Sequence, residues 1–120
     1  MGFINAAHRG VAYGDGYLQG DGELGPLVKI AGNDLFAVNT DPATPSFGIL
    51  IKGYKNGEMP GIYCMGGVYE TDVFEGTIQA GDFLKASTNG KLTAGVSEGD
   101  MPVAQAISVS GGTLKFRLLA

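Results

Sequence analysis

Turn residues, more than any other feature, limit what this chain can fold into. In the last third, Thr77-Ile-Gln-Ala-Gly-Asp-Phe-Leu-Lys-Ala-Ser-Thr-Asn-Gly-Lys-Leu-Thr-Ala and then Glu98-Gly-Asp-Met-Pro-Val-Ala-Gln-Ala-Ile-Ser-Val-Ser-Gly-Gly-Thr-Leu-Lys-Phe-Arg-Leu, short apolar runs are broken by Gly-Asp, Asn-Gly and Gly-Gly about every ten residues. Glycine and asparagine tolerate the positive φ that tight turns require, so this spacing reads as hairpin-built β-structure. In the closing run Leu114, Phe116 and Leu118 alternate with Lys115 and Arg117, which is the pattern of a half-buried antiparallel strand.

The rest of the chain follows the same grammar. Leu27 to Ala31, Gly32-Asn-Asp, and Leu35 to Val38 read as two strands around a tight turn. The loop from Asp41 carries two prolines, and Phe47 to Lys55 then reads as a mostly apolar strand. Asn56-Gly57 gives a hairpin signal before Gly61-Ile-Tyr-Cys-Met. No segment of helical length keeps a 3.6-residue period with caps at both ends. The expected architecture is all-β, a small antiparallel barrel or sandwich. Residues 26–120 form its single β domain. Residues 1–25 differ: Gly10, Gly14, Gly16, Gly20, Gly22 and Gly25 break every period, so this stretch reads as an irregular arm with loops that orders against something else.

Composition excludes several classes of function. The net charge is −4, and each half of the chain carries four basic and six acidic residues, so no basic stripe exists for a nucleic-acid backbone. No apolar run approaches a membrane span and no signal sequence is apparent, so a cytoplasmically synthesised, soluble product is expected. A single cysteine, Cys64, precludes an intramolecular disulfide, and with no basic neighbour in sequence it reads as a buried, inert thiol. Twenty-one glycines would suggest disorder, but they are interleaved with strong apolar runs in a chain that is 44% hydrophobic.

Motifs with chemical meaning dissolve on inspection. Gly95-Val-Ser-Glu-Gly matches the hydrolase elbow in letters, yet no helix is expected after Ser97 and the only histidine, His8, lies far upstream. Gly14 to Glu23 has neither the glycine spacing of a dinucleotide site nor, in Asp15, Asp21 and Glu23, the ligand spacing of a calcium loop. Glu70, Asp72 and Glu75 form the densest acidic group, but no tryptophan marks a sugar cleft, and a solvated rim is expected. No catalytic residue, metal site or cofactor is therefore expected. Phe3 and Ile4, apolar residues on a glycine-rich arm, are open to burial against another chain or against their own domain.

From about Val68 to Ala120 the order of elements (Gly-Asp, strand, Asn-Gly hairpin, Gly-Asp, Val-Ala-Gln-Ala-Ile strand, Gly-Gly turn, Leu-Lys-Phe-Arg-Leu strand) resembles the head-decoration, or capsid cement, proteins of tailed bacteriophages. The resemblance implies a non-enzymatic virion protein on the outer capsid surface, a homotrimer whose partner is the major capsid (coat) protein, stabilising the assembled head. The arm is then the expected coat-binding element, through strand addition, with Phe3, Ile4, Arg9 and Tyr13 as anchors. The alternative from another class is a small-ligand or carbohydrate-binding β module of a virion fibre or tail.

Overall fold

The computed structural model describes residues 4–22 and 26–119. The expectations placed on Phe3 and Glu23 lie outside the described residues. Eleven strands and no helix occur among them: β1 (Ile4–Tyr13), β2 (Tyr17–Leu18), β3 (Leu27–Gly32), β4 (Leu35–Val38), β5 (Gly48–Leu50), β6 (Ile62–Thr71), β7 (Phe74–Glu75), β8 (Phe83–Ala86), β9 (Leu92–Thr93), β10 (Ala104–Ser110) and β11 (Thr113–Leu118). They run in the order β2-β4-β3-β5-β6-β11-β10-β8-β9-β7, with β1 added to β6. The sheet is compact and does not close into a barrel, so the architecture is sandwich-like. All pairings are antiparallel except two short parallel ones, β2 with β4 and β7 with β9.

The turns that define the sequence close where they were expected. Asn33-Asp34 joins β3 to β4, with Asp34 at φ 52°. Asn89-Gly90 lies between β8 and β9, where Lys85 faces Thr93 and Ala86 faces Leu92. Gly111 and Gly112, at φ 58° and 79°, make the tight turn between β10 and β11.

Two apolar clusters explain why β3, β5 and β6 carry unbroken apolar pairs. Leu27, Ile49 and Tyr63 belong to the larger cluster, with Tyr69, Leu84, Leu92, Leu114 and Phe116. Their chain neighbours Val28, Leu50 and Ile62 belong to a second, with Leu18 and Phe36. Successive strand residues point to opposite faces, so these three strands are buried on both sides. Asn39 is fully buried but satisfied: its Nδ2 donates to the Thr44 carbonyl and the Ser46 hydroxyl at 2.9 Å each, while its Oδ1 accepts from the Asp41 N–H.

Two segments differ from the sequence reading. The strand expected from Phe47 to Lys55 ends at Leu50, and Asn56-Gly57 turns within the 51–61 loop instead of closing a tight hairpin. That loop is held by β2 and its neighbours: the Gly57 N–H donates to the Leu18 carbonyl, the Leu18 N–H to the Glu58 carbonyl and the Gly22 N–H to the Tyr54 carbonyl. Residues 4–13, read as irregular, are a ten-residue strand. Its pairing needs only a main-chain partner, which the equally long β6 supplies, and the irregularities are absorbed as register shifts between Ala6 and His8 and between Val11 and Ala12.

Candidate functional site

β6 is the organising strand of the candidate site. One of its edges pairs with β5 at Ile62 and Tyr63 and with β11 from Val68 to Thr71, and the other pairs with β1 along its whole length. β1 pairs with no strand other than β6 among the described residues, so its outer edge is open. Ten residues at strand spacing make that edge about 33 Å long. An open, long edge presents unpaired main-chain donors and acceptors to any extended segment that reaches it.

The seam beneath this edge is built around the Tyr69 hydroxyl. Tyr69 is fully buried, its ring 4.6 Å from that of Tyr63 and 5.9 Å from that of Phe116 between centroids. The hydroxyl accepts from the Gly10 N–H and donates to the Gly66 carbonyl, both at 3.0 Å. Burial pushes the phenol's pKa above its ordinary value, and the bond from Gly10 only partly opposes that. The approach is close enough to demand glycine on both strands. A Cβ on Gly10 would run into the carbonyl oxygens of Met65 and Gly66, and one on Gly67, at φ 94°, would meet the Tyr69 hydroxyl.

The anchors expected from sequence part company here. Ile4 is 9% exposed and packs into the larger cluster of its own domain. Tyr13 is half-buried, with its ring edge-on to Phe36 and Phe47 at 5.9 and 5.5 Å. Arg9 is exposed, as are Asn5 to His8. Sequence reasoning missed an apolar pair on the same ribbon: Val11 and Met65 face each other across β1 and β6 and are 53% and 59% exposed. No sequence signal marked the pair: alternation places Met65 on the same face as buried Tyr63, yet Met65 is exposed.

Other residues singled out above are occupied by structural work. The Ser97 N–H donates to the Asp100 carboxylate and its hydroxyl to the Gly95 carbonyl, inside one turn that Lys85 closes by reaching Asp100 at 2.9 Å. The Asp100 carboxyl is held below its ordinary range, first by the bond from Lys85 and then by the Ser97 N–H. Glu75 accepts from the Ser87 hydroxyl and the Asn89 amide, which tie β7 to the β8–β9 turn and lower its pKa. Glu70 is opposite Asn5 and Lys115 in the sheet. Cys64 is half-buried, its Sγ 3.7 Å from the Val11 carbonyl oxygen. No group of three or more potential metal ligands occurs among the described residues. A shallow groove of about 360 Å³ is lined by Ile30, Thr44, Pro45, Ser46 and Phe47, with no ionisable side chain.

No protein-family model matches the sequence, and no curated protein is similar to it. The fold, by contrast, has a solved counterpart: the head fiber gp8.5 N base of bacteriophage phi29 aligns with a TM-score of 0.63 at 15% identity, over 90% of this chain and 92% of that one. At that identity the likeness is one of fold, and it spans nearly the whole of both chains, including the N-terminal half that the sequence resemblance leaves aside.

Proposed function

We propose that this chain is a structural protein of a bacteriophage virion that attaches to the outer surface of the assembled head by pairing the open edge of β1 with an extended segment of the coat protein, and so reinforces the capsid. The observation that carries the reading is the full-length fold likeness to the base of a phage head fibre, reached independently of the turn order that resembles decoration proteins. The edge supplies the physics. Ordering a free segment costs roughly 1–2 kcal/mol per residue, whereas β1 is already extended and held by β6, so the cost of ordering falls on the partner alone. Main-chain pairing supplies affinity, while exposed Arg9 and the Val11–Met65 pair supply side-chain contacts on the same ribbon.

A second reading follows from the same likeness: the chain serves as the base of an appendage anchored to the head rather than as a cement that covers it. Co-sedimentation separates these from the ligand-binding alternative. Purified protein is incubated with expanded empty heads of the phage that encodes it, and the pelleted copies are counted at saturation. A cement fills every equivalent lattice position, a fibre base fills a small subset, and a chain that never pellets with heads refutes both.

A further inference from the structure

The half of the sheet that carries β1 is packed on one face only. Strand pairing sets Ala6, Tyr69, Phe116 and Ala106 side by side on its inner face, where the last three belong to the larger cluster. The next row, Phe83, Gln105, Arg117, Val68 and His8, points the opposite way, because successive strand residues alternate between faces. Phe83, Arg117 and His8 are exposed, Phe83 to 48%, and Gln105 and Val68 are half-buried. Five strands about 4.8 Å apart make this row about 19 Å across.

One cation on the outward face stands apart. Lys115 lies opposite Glu70, and Lys85 is bonded to Asp100 at 2.9 Å. Arg117 has Val68 on one side and Gln105 on the other, and neither carries a charge. Its orientation is set by a short relay: the Arg117 Nε donates to the Gln105 Oε1 at 2.8 Å, and the Gln105 Nε2 donates to the Gly81 carbonyl at 3.1 Å. Only Nε is used, so the two Nη groups remain available as the fork that takes a carboxylate in two parallel bonds. A side chain held in advance loses less freedom on binding than a free one. Phe83, beyond Gln105 in the same row, adds an exposed ring, and arginine and aromatic residues are the types enriched at protein interfaces.

Charge and position together name the occupant. In a chain of net charge −4, a pre-oriented arginine with no carboxylate opposite it selects an acidic partner. The row ends at His8 on β1, so a coat segment that pairs with the outer edge of β1 joins the sheet at the end of this row and brings the coat surface beside it. We propose that the outward face of β8, β10, β11, β6 and β1 is a second contact with the coat protein, in which Arg117, positioned by Gln105, holds a coat carboxylate in a bidentate pair and Phe83 packs at its flank. This inference rests on head attachment through β1.

Co-sedimentation with expanded empty heads, titrated at low and high salt, tests it. Arg117→Ala, with its fold verified by circular dichroism, lowers head affinity by about tenfold or more and flattens the salt dependence of binding. Arg117→Lys keeps the charge but not the fork, and still loses about threefold or more. Gln105→Glu sets a carboxylate against the guanidinium within the chain, so affinity and salt dependence fall while Tm does not. Lys55→Ala, an exposed cation on the 51–61 loop, leaves binding unchanged. If the intact protein never pellets with heads, the head-attachment reading fails and this inference with it. If the intact protein pellets and both folded Arg117 variants match it in affinity and salt dependence, this inference alone is overturned. Equal weakening by Lys55→Ala overturns it too, since that is a general effect of charge. So does sedimentation velocity of the free protein showing an oligomer that Arg117→Ala dissolves, which assigns the face to a second copy.

Discussion

Replacing Tyr69 with phenylalanine isolates the seam that holds β1 in place. The ring stays between Tyr63 and Phe116, so core packing is preserved, and only the hydroxyl that joins Gly10 to Gly66 is removed. Two hydrogen bonds at about 0.5–1.5 kcal/mol each set the expected loss at about 1–3 kcal/mol. The upper end applies if the Gly10 N–H and Gly66 carbonyl stay dry, and the lower end if water replaces the hydroxyl. At this chain length each kcal/mol lowers Tm by about 4 °C, so thermal denaturation should show a fall of about 4–12 °C. Amide exchange adds a local readout, because the Gly10 amide loses its acceptor and should exchange faster than before. The phenol's raised pKa gives the sign of a pH effect: the folded state holds the proton more tightly, so that contribution is fully present below about pH 10 and is lost as pH rises through the folded value. Tyr69→Phe should abolish that alkaline loss. A variant that melts within a degree or so of the parent, with Gly10 exchange unchanged, would refute the claim that this hydroxyl secures the strand.

Other perturbations probe the same account. Gly10→Ala drives a Cβ into main-chain oxygens of β6 and should destabilise by about 2 kcal/mol or more, checked by urea denaturation. Ile4→Ala empties a core position and should cost about 2–4 kcal/mol by the same assay, whereas a loosely attached arm would lose almost nothing. Asp41, held low by the Ala43 N–H and the Thr44 hydroxyl, joins Glu75 and Asp100 as carboxyls with depressed folded-state pKa values. Their contribution is present above the ordinary carboxylate range and is lost as pH falls below about 4, so Asp100→Asn should flatten the acid limb of a Tm-against-pH curve.

Glycine and asparagine turns made much of this fold legible, because Gly90, Gly111 and Gly112 sit at positive φ, which tight turns require and few other residues tolerate. The alternation of Leu114, Phe116 and Leu118 likewise named the buried face of β11, and all three are buried. Legibility failed where pairing is carried by the main chain. β1 has exposed side chains from Asn5 to Arg9 and glycine at the contact with β6, so no hydrophobic period announces it. Its partner strand was only partly recognised, since Gly66 and Gly67 interrupt β6 where it bends around the Tyr69 hydroxyl. The candidate site inherits that difficulty. An open edge is a property of what lies beside a strand, and Ile4 and Tyr13, which looked like anchors for another chain, are packed into the two clusters of their own.

The claim that β1 is the surface by which this protein engages a head is tested most directly by amide hydrogen exchange of the free protein against the same protein bound to empty heads. The account predicts that exchange slows on binding along residues 4–13, where outward N–H groups gain partners, while β4 and the β8–β9 turn are unchanged. Slowing confined to other strands, with residues 4–13 exchanging as they do in the free protein, would contradict it.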